Sequence, residues 1–83
     1  MDKTTTKYLQ FIKTKWPGKK TYNVEVLNKD GTTTLGYIRW WGPWWTYTFE
    51  TIEGIILDPK CLNDIINYIN ELMQERKKWW SHL

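Results

Sequence analysis

Hydrophobic and polar positions alternate with a period of two over residues 21–28, where Tyr22, Val24 and Val26 share one side and Asn23 and Glu25 the other. That is the pattern of a half-buried antiparallel strand. Asn28-Lys29-Asp30-Gly31 follows as a hairpin turn, with glycine where a left-handed residue is needed. Residues 32–41 return as a second strand, with Ile38 and Trp40 on one face and Leu35, Tyr37, Arg39 and Trp41 on the other. Gly42-Pro43 breaks it, and 44–50 reads as a third strand in which Trp45, Tyr47 and Phe49 alternate with Trp44, Thr46 and Thr48. After a turn over 51–54, Ile55-Ile56-Leu57 is a candidate fourth strand.

At Asp58 the period changes. Asp58 suits a helix N-cap, where its carboxylate accepts from orphan amides, and Pro59 suits the first helical position, which needs no N–H. Leu62, Ile65, Ile66, Ile69, Leu72 and Met73 then recur at steps of three and four, while Asn63, Asp64, Asn67, Asn70, Glu71 and Gln74 fill the other side. An amphipathic helix over 58–78 is expected, laid on the sheet and ended by Arg76, Lys77 and Lys78 where the macrodipole favours cations. Near the other end Tyr8, Leu9, Phe11, Ile12 and Trp16 fit a short helix stopped by Trp16-Pro17-Gly18, although Leu9 and Phe11 also alternate as a strand would. The expected fold is a single α+β domain over 1–83. It comprises a basic N-terminal helix and connector (1–20), a meander of three to four antiparallel strands (21–57), a long C-terminal helix on one sheet face (58–78) and a tail (79–83).

Composition sharpens this in two places. Aromatic residues make up 17% of the 83 residues, with seven Trp, five Tyr and two Phe. Each buries about 150 to 250 Å², so a few would supply most of a small core, and the excess needs another explanation. Charge is uneven: Lys3, Lys7, Lys13, Lys15, Lys19 and Lys20 face only Asp2 within residues 1–20, while the remainder is nearly balanced, for +3 in all. Such a segment suits phosphates or an acidic partner, and equally a merely solvated arm. No apolar run approaches the roughly 18 residues of a membrane span, and the first residues lack an apolar signal core, so a soluble cytoplasmic protein is expected.

Catalytic constellations are absent from the pattern. The lone Cys61 excludes a disulfide framework and a Cys-rich zinc site. It sits in the first helical turn with no His nearby to activate it, so a packed small residue is expected. His82 stands next to the last residue, a poor place for a general base. Glu50 and Glu53 read as a solvated turn, and the five glycines never cluster as a phosphate loop. No enzyme, metal or cofactor is expected.

The chemistry concentrates in Tyr37-Ile38-Arg39-Trp40-Trp41-Gly42-Pro43-Trp44-Trp45-Thr46-Tyr47. Strand alternation puts one member of each Trp-Trp pair away from the helix. With Ile38 and Trp40 inward, Tyr37, Arg39, Trp41 and Trp44 form an open face suited to stacking on bases or anchoring in a protein partner, with Lys13, Lys15, Lys19 and Lys20 as the basic complement. Alternatively the N-terminal helix, through Tyr8, Phe11, Ile12 and Trp16, covers that face as a second core. Trp79-Trp80 after Lys77-Lys78 is a second candidate, either gripping nucleic acid or a membrane surface or folding back on the helix.

The run Gly36-Tyr37-Ile38-Arg39-Trp40-Trp41-Gly42-Pro43-Trp44, then Tyr47 and Phe49, then Cys61-Leu62 with Ile65, Tyr68, Ile69 and Leu72, resembles small proteins of bacteriophages and other mobile elements. In these a G-x-I-x-W strand leads into G-P-W, an aromatic strand and a terminal helix. Where they carry a basic residue directly after G-P-W, this chain has Trp45. The resemblance covers about 22–72 and implies provenance rather than an activity or a cofactor. The expected function is a non-enzymatic accessory protein that occupies a host protein or a nucleic-acid-binding complex, as counter-defence inhibitors do. The alternatives are a single-stranded nucleic acid or nucleotide binder and a self-associating virion component.

Overall fold

The computed structural model describes residues 2–15 and 17–81, the side chains of 79–81 excepted. Five strands, β1 (Asp2–Thr5), β2 (Leu9–Lys15), β3 (Tyr22–Asn28), β4 (Thr34–Trp41) and β5 (Thr46–Thr51), form one antiparallel sheet in sequence order. One helix, α1 (Pro59–Ser81), packs on one face. The class is α+β.

The N-terminal helix expected from the sequence is instead the hairpin of β1 and β2. The alternation of Leu9 and Phe11 decides it: both point under α1 at 1% and 0% exposure, while Tyr8 and Ile12 stay half-buried. β2 pairs with β3 over its whole length, from Leu9 opposite Asn28 to Lys15 opposite Tyr22. The Thr6 hydroxyl closes the turn by accepting the Leu9 N–H at 3.0 Å and donates to Asp64 of α1 at 2.6 Å, which ties the hairpin to the helix. Trp16 and His82 lie outside the described residues, as do the side chains of Trp79 and Trp80.

The core joins Leu9, Phe11, Val24, Val26, Ile38 and Tyr47 of the sheet to Ile65, Tyr68 and Leu72 of α1. Phe11 and Tyr68 stack face to face, with centroids 4.4 Å apart. Seating Tyr68 there sets the helix rotation, so two positions expected inward, Leu62 and Ile66, are exposed at 43% and 54%. The N-cap forms as the sequence implies, with the Asp58 carboxylate accepting the Cys61 N–H at 2.9 Å. Gly31 closes the β3–β4 turn at φ 73°. Residues 55–57 form no strand, and Ile56 is 95% exposed.

A bulge lies in the β3–β4 pairing, where Leu27 faces Thr34 and Val26 faces Gly36. Leu35 is the extra residue and turns to the core instead of the open face on which strict alternation would place it. Below the bulge the alternation holds: Ile38 and Trp40 face α1, while Tyr37, Arg39 and Trp41 face away.

Candidate functional site

β4 and β5 are joined by a single 3₁₀ turn, Gly42–Trp44. The strand expected from Trp44 starts only at Thr46, because Trp45 closes the turn in the left-handed region at φ 53° and donates its N–H to the Gly42 carbonyl at 3.1 Å. It is the only non-glycine with positive φ among the described residues, in a conformation costing an L-residue about 1 to 2 kcal/mol. The turn therefore lifts Trp45 out of the inward row. Trp41, Trp44 and Trp45 are 50%, 73% and 64% exposed at one corner of the sheet. Trp40, partly buried on the α1 side, packs against the last of them. The Arg76 guanidinium lies 4.0 Å over its ring, and Tyr47 and Trp45 meet it edge-on at 5.4 and 6.1 Å.

The open sheet face runs back from this corner, and α1, the only α-helix among the described residues, lies on the other side. The covered-face alternative fails because the segment that would cover it is part of the sheet. Arg39 lies 4.6 Å over the Tyr37 ring, donates from Nε to Asn23 at 2.8 Å and pairs with Glu50 at 3.6 Å. Register aligns Lys3, Ile12, Glu25, Tyr37 and Glu50 in one row across the face. Its charges are mixed rather than uniformly basic. Thr48 lies along β5, its hydroxyl donating to the Arg39 carbonyl at 3.2 Å. Thr46, expected beside it, instead approaches α1 with Oγ1 3.7 Å from the Met73 sulfur.

Lys13, Lys15 and Lys20 do not join Tyr37, Arg39 and Trp41 as one surface, whereas Lys19 borders Arg39. Lys13 and Lys15 share the α1 side with Phe11. Lys13 pairs with Glu75 at 3.4 Å and lies 4.3 Å over the Tyr22 ring. Lys15 and Lys20 border a cleft of about 160 Å³ between the sheet end and α1, and Lys19 borders a wider groove with Asn23, Arg39 and Trp40. Sequence reasoning missed Tyr47 and Arg76 as walls of that cleft. Their separation of 29 positions leaves no local signal for the contact.

Cys61 is half-buried, and burial, followed by the Asp58 carboxylate, pushes its thiol pKa up, the reverse of an activated nucleophile. No group of three or more His, Cys, Asp or Glu able to hold a metal occurs among the described residues. None of the described helices is long and apolar enough to cross a membrane.

These features define an α+β protein with an aromatic corner on an open sheet face of mixed polar and apolar residues. No protein-family model matches the chain, and no solved structure does. It is 73% identical over 78 residues to the "Uncharacterized 9.3 kDa protein" of Acholeplasma phage L2, covering 94% of this chain and 100% of the relative. The chain belongs to the family of that phage protein.

Proposed function

We propose that the chain is a non-enzymatic phage accessory protein that binds and blocks a protein of the infected cell, with the aromatic corner as its anchor. One observation carries this reading: three tryptophans within five residues are half exposed or more, one of them held in a strained backbone conformation. Strain of that kind persists where surrounding structure enforces it and clusters at working sites. Trp anchors dominate protein interfaces when an apolar pocket receives them. The corner itself, Trp41 to Trp45, carries no charge. The partner surface is accordingly an apolar pocket, and binding weakens little with salt.

The family membership supports action inside an infected host. The mixed charge of the open face and the pairing of Arg39 with Glu50 favour a protein over single-stranded nucleic acid. The test is capture from host lysate by wild type and by Trp44→Ala and Trp45→Gly, followed by calorimetry with the purified partner. Trp45→Gly relieves about 1 to 2 kcal/mol of backbone strain and loses an edge contact worth about 0.5 to 1.5 kcal/mol, so it stays folded. Both variants should lose the partner. Retention by both would refute the reading. Saturable, steeply salt-dependent binding of an oligonucleotide at the corner would instead favour nucleic acid, and a change of oligomeric state in the variants would favour self-association.

A further inference from the structure

The sheet has two edges, and they differ. β1 is four residues long and carries Asp2 and Lys3, so shortness and charge both blunt it. β5 runs for six residues, Thr46–Thr51, without lysine, proline or bulge and with one charge, Glu50. Its Thr, Tyr and Phe residues favour extended backbone. The Ile52 N–H donates to the Leu35 carbonyl at 2.9 Å, which fixes the alternation along β5. Thr46, Thr48 and Glu50 bond to β4, while Tyr47, Phe49 and Thr51 turn their backbone groups outward. The Tyr47 carbonyl accepts the Thr46 hydroxyl at 3.2 Å and keeps a second lone pair. Among the described residues the sheet ends at this strand.

Beside this edge α1 presents an apolar flank. Leu62, Ile66, Ile69 and Met73 fall within about 60° of arc at 3.6 residues per turn. Met73 places that arc on the β5 side, with its sulfur 3.7 Å from Thr46 Oγ1. The opposite flank is polar and already engaged: Asp64 accepts from Thr6, and Glu75 pairs with Lys13 of β2. Leu62 and Ile66 are left exposed, as are the tryptophan corner and Ile52 and Ile56 just after β5. Among the described residues no exposed large apolar side chain comes from β1, β2 or β3. The exposed apolar surface is thus confined to the side of the molecule that holds the unguarded edge.

A second copy of the chain is complementary to this strip. β5 itself alternates as an added strand there must, with Tyr47 and Phe49 toward α1 and Thr48 and Glu50 toward the open face. Charge and backbone pairing select the register of antiparallel self-pairing. Centred on Thr48, it sets Thr51 against Trp45, which lies outside the strand. Centred on Glu50, it opposes the two carboxylates, which is destabilising. Centred on Phe49, it joins Phe49 to its own counterpart and Tyr47 to Thr51, and sets Thr48 opposite Glu50. The two-fold axis then stands normal to the sheet, so both helices lie on one face with their apolar flanks toward each other. Pairing of β5 with itself closes the assembly at two copies and leaves the charged β1 at both outer edges.

We propose that the protein forms a closed two-fold dimer in which β5 pairs antiparallel with β5 of a second copy, centred on Phe49 and flanked by the apolar side of each α1. Trp41 and Trp44 precede the paired strand and stay outside the ladder, so each copy keeps its aromatic corner. The dimer does not depend on what that corner binds.

The test is sedimentation equilibrium of the whole chain from low micromolar to sub-millimolar concentration, followed by isotope-filtered NMR on a mixture of labelled and unlabelled chains. A monomer–dimer equilibrium is expected, with a contact between the Thr48 Hα and the Glu50 Hα of the other copy, which face each other as a non-hydrogen-bonded pair. Thr48→Glu lies opposite Arg39 within the chain, which keeps the fold, and meets Glu50 of the other copy as a like charge. Thr51→Pro removes an N–H that β4 does not use. Each should weaken the dimer about ten-fold or more. The Leu62→Gln/Ile66→Gln double variant changes two exposed side chains and should also weaken it, whereas Trp44→Ala should leave it unchanged. A monomer throughout the range, a dimer that survives both Thr48→Glu and Thr51→Pro, or a dimer lost in Trp44→Ala would overturn the proposal. A dimer that captures no host protein refutes the reading of the corner alone, and a monomer that captures one refutes the dimer alone.

Discussion

Trp40 and Trp41 are adjacent in sequence and lie on opposite faces of β4, so a pair of alanine substitutions tests the face assignment on which the candidate site depends. Trp40→Ala removes a ring covered by Arg76 at 4.0 Å and met edge-on by Tyr47 at 5.4 Å. Deleting a core Trp or Phe costs about 3 to 5 kcal/mol, and because Trp40 is only partly buried the lower figure, about 3 kcal/mol, applies. Trp41 is 50% exposed with no core contact, so its loss should cost about 1 kcal/mol or less. A domain of this length holds about 4 to 12 kcal/mol in total. With a urea slope of about 1 kcal/mol per molar, the midpoint should fall by about 3 M for Trp40→Ala and by about 1 M or less for Trp41→Ala. Far-UV circular dichroism is the suitable probe, because seven tryptophans confuse fluorescence. A cost for Trp41→Ala equal to or above that for Trp40→Ala would refute the assignment, since a slip of one residue exchanges the two faces.

Two further outcomes are expected. A Cβ on Gly36 would sit 2.3 Å from the Glu50 carbonyl oxygen and 2.8 Å from the Phe49 ring, so Gly36→Ala should push β4 and β5 apart. A loss of at least about 3 kcal/mol is expected in urea unfolding, and a loss below about 1 kcal/mol would contradict the close approach. Burial, reinforced by the Glu75, Glu71 and Asp2 carboxylates, raises the Tyr68 hydroxyl from 10.0 to about 12. The folded state thus holds this proton more tightly than the unfolded chain. Its contribution is complete below pH 10 and is lost as pH rises from there through about 12. Tyr68→Phe keeps the stack on Phe11 and should flatten this alkaline decline in thermal stability, and a decline identical to wild type would refute the reasoning.

Local chemistry alone determined much of this protein. Asp58-Pro59 starts α1 because a carboxylate cap and an absent N–H act within one turn. Gly31 turns the β3–β4 hairpin, and strict alternation places Ile38 and Trp40 inward with Tyr37, Arg39 and Trp41 outward. Each of these signals operates over a few residues.

Tertiary structure decided the rest, because the competing local patterns were close in energy. Tyr8, Leu9, Phe11 and Ile12 satisfy helix and strand spacing alike. Pairing with β3 and the stack of Phe11 on Tyr68, 57 positions away, selects the strand. That choice also uncovers the open face, since the residues that would have covered it become part of the sheet as β2. The bulge at Leu35 and the left-handed Trp45 are invisible to periodicity, because each depends on how a neighbouring strand or turn closes. The gathering of Lys15, Lys20, Tyr47 and Arg76 around one cleft follows from the seating of α1, and long-range contacts of that kind leave no spacing to read in the chain.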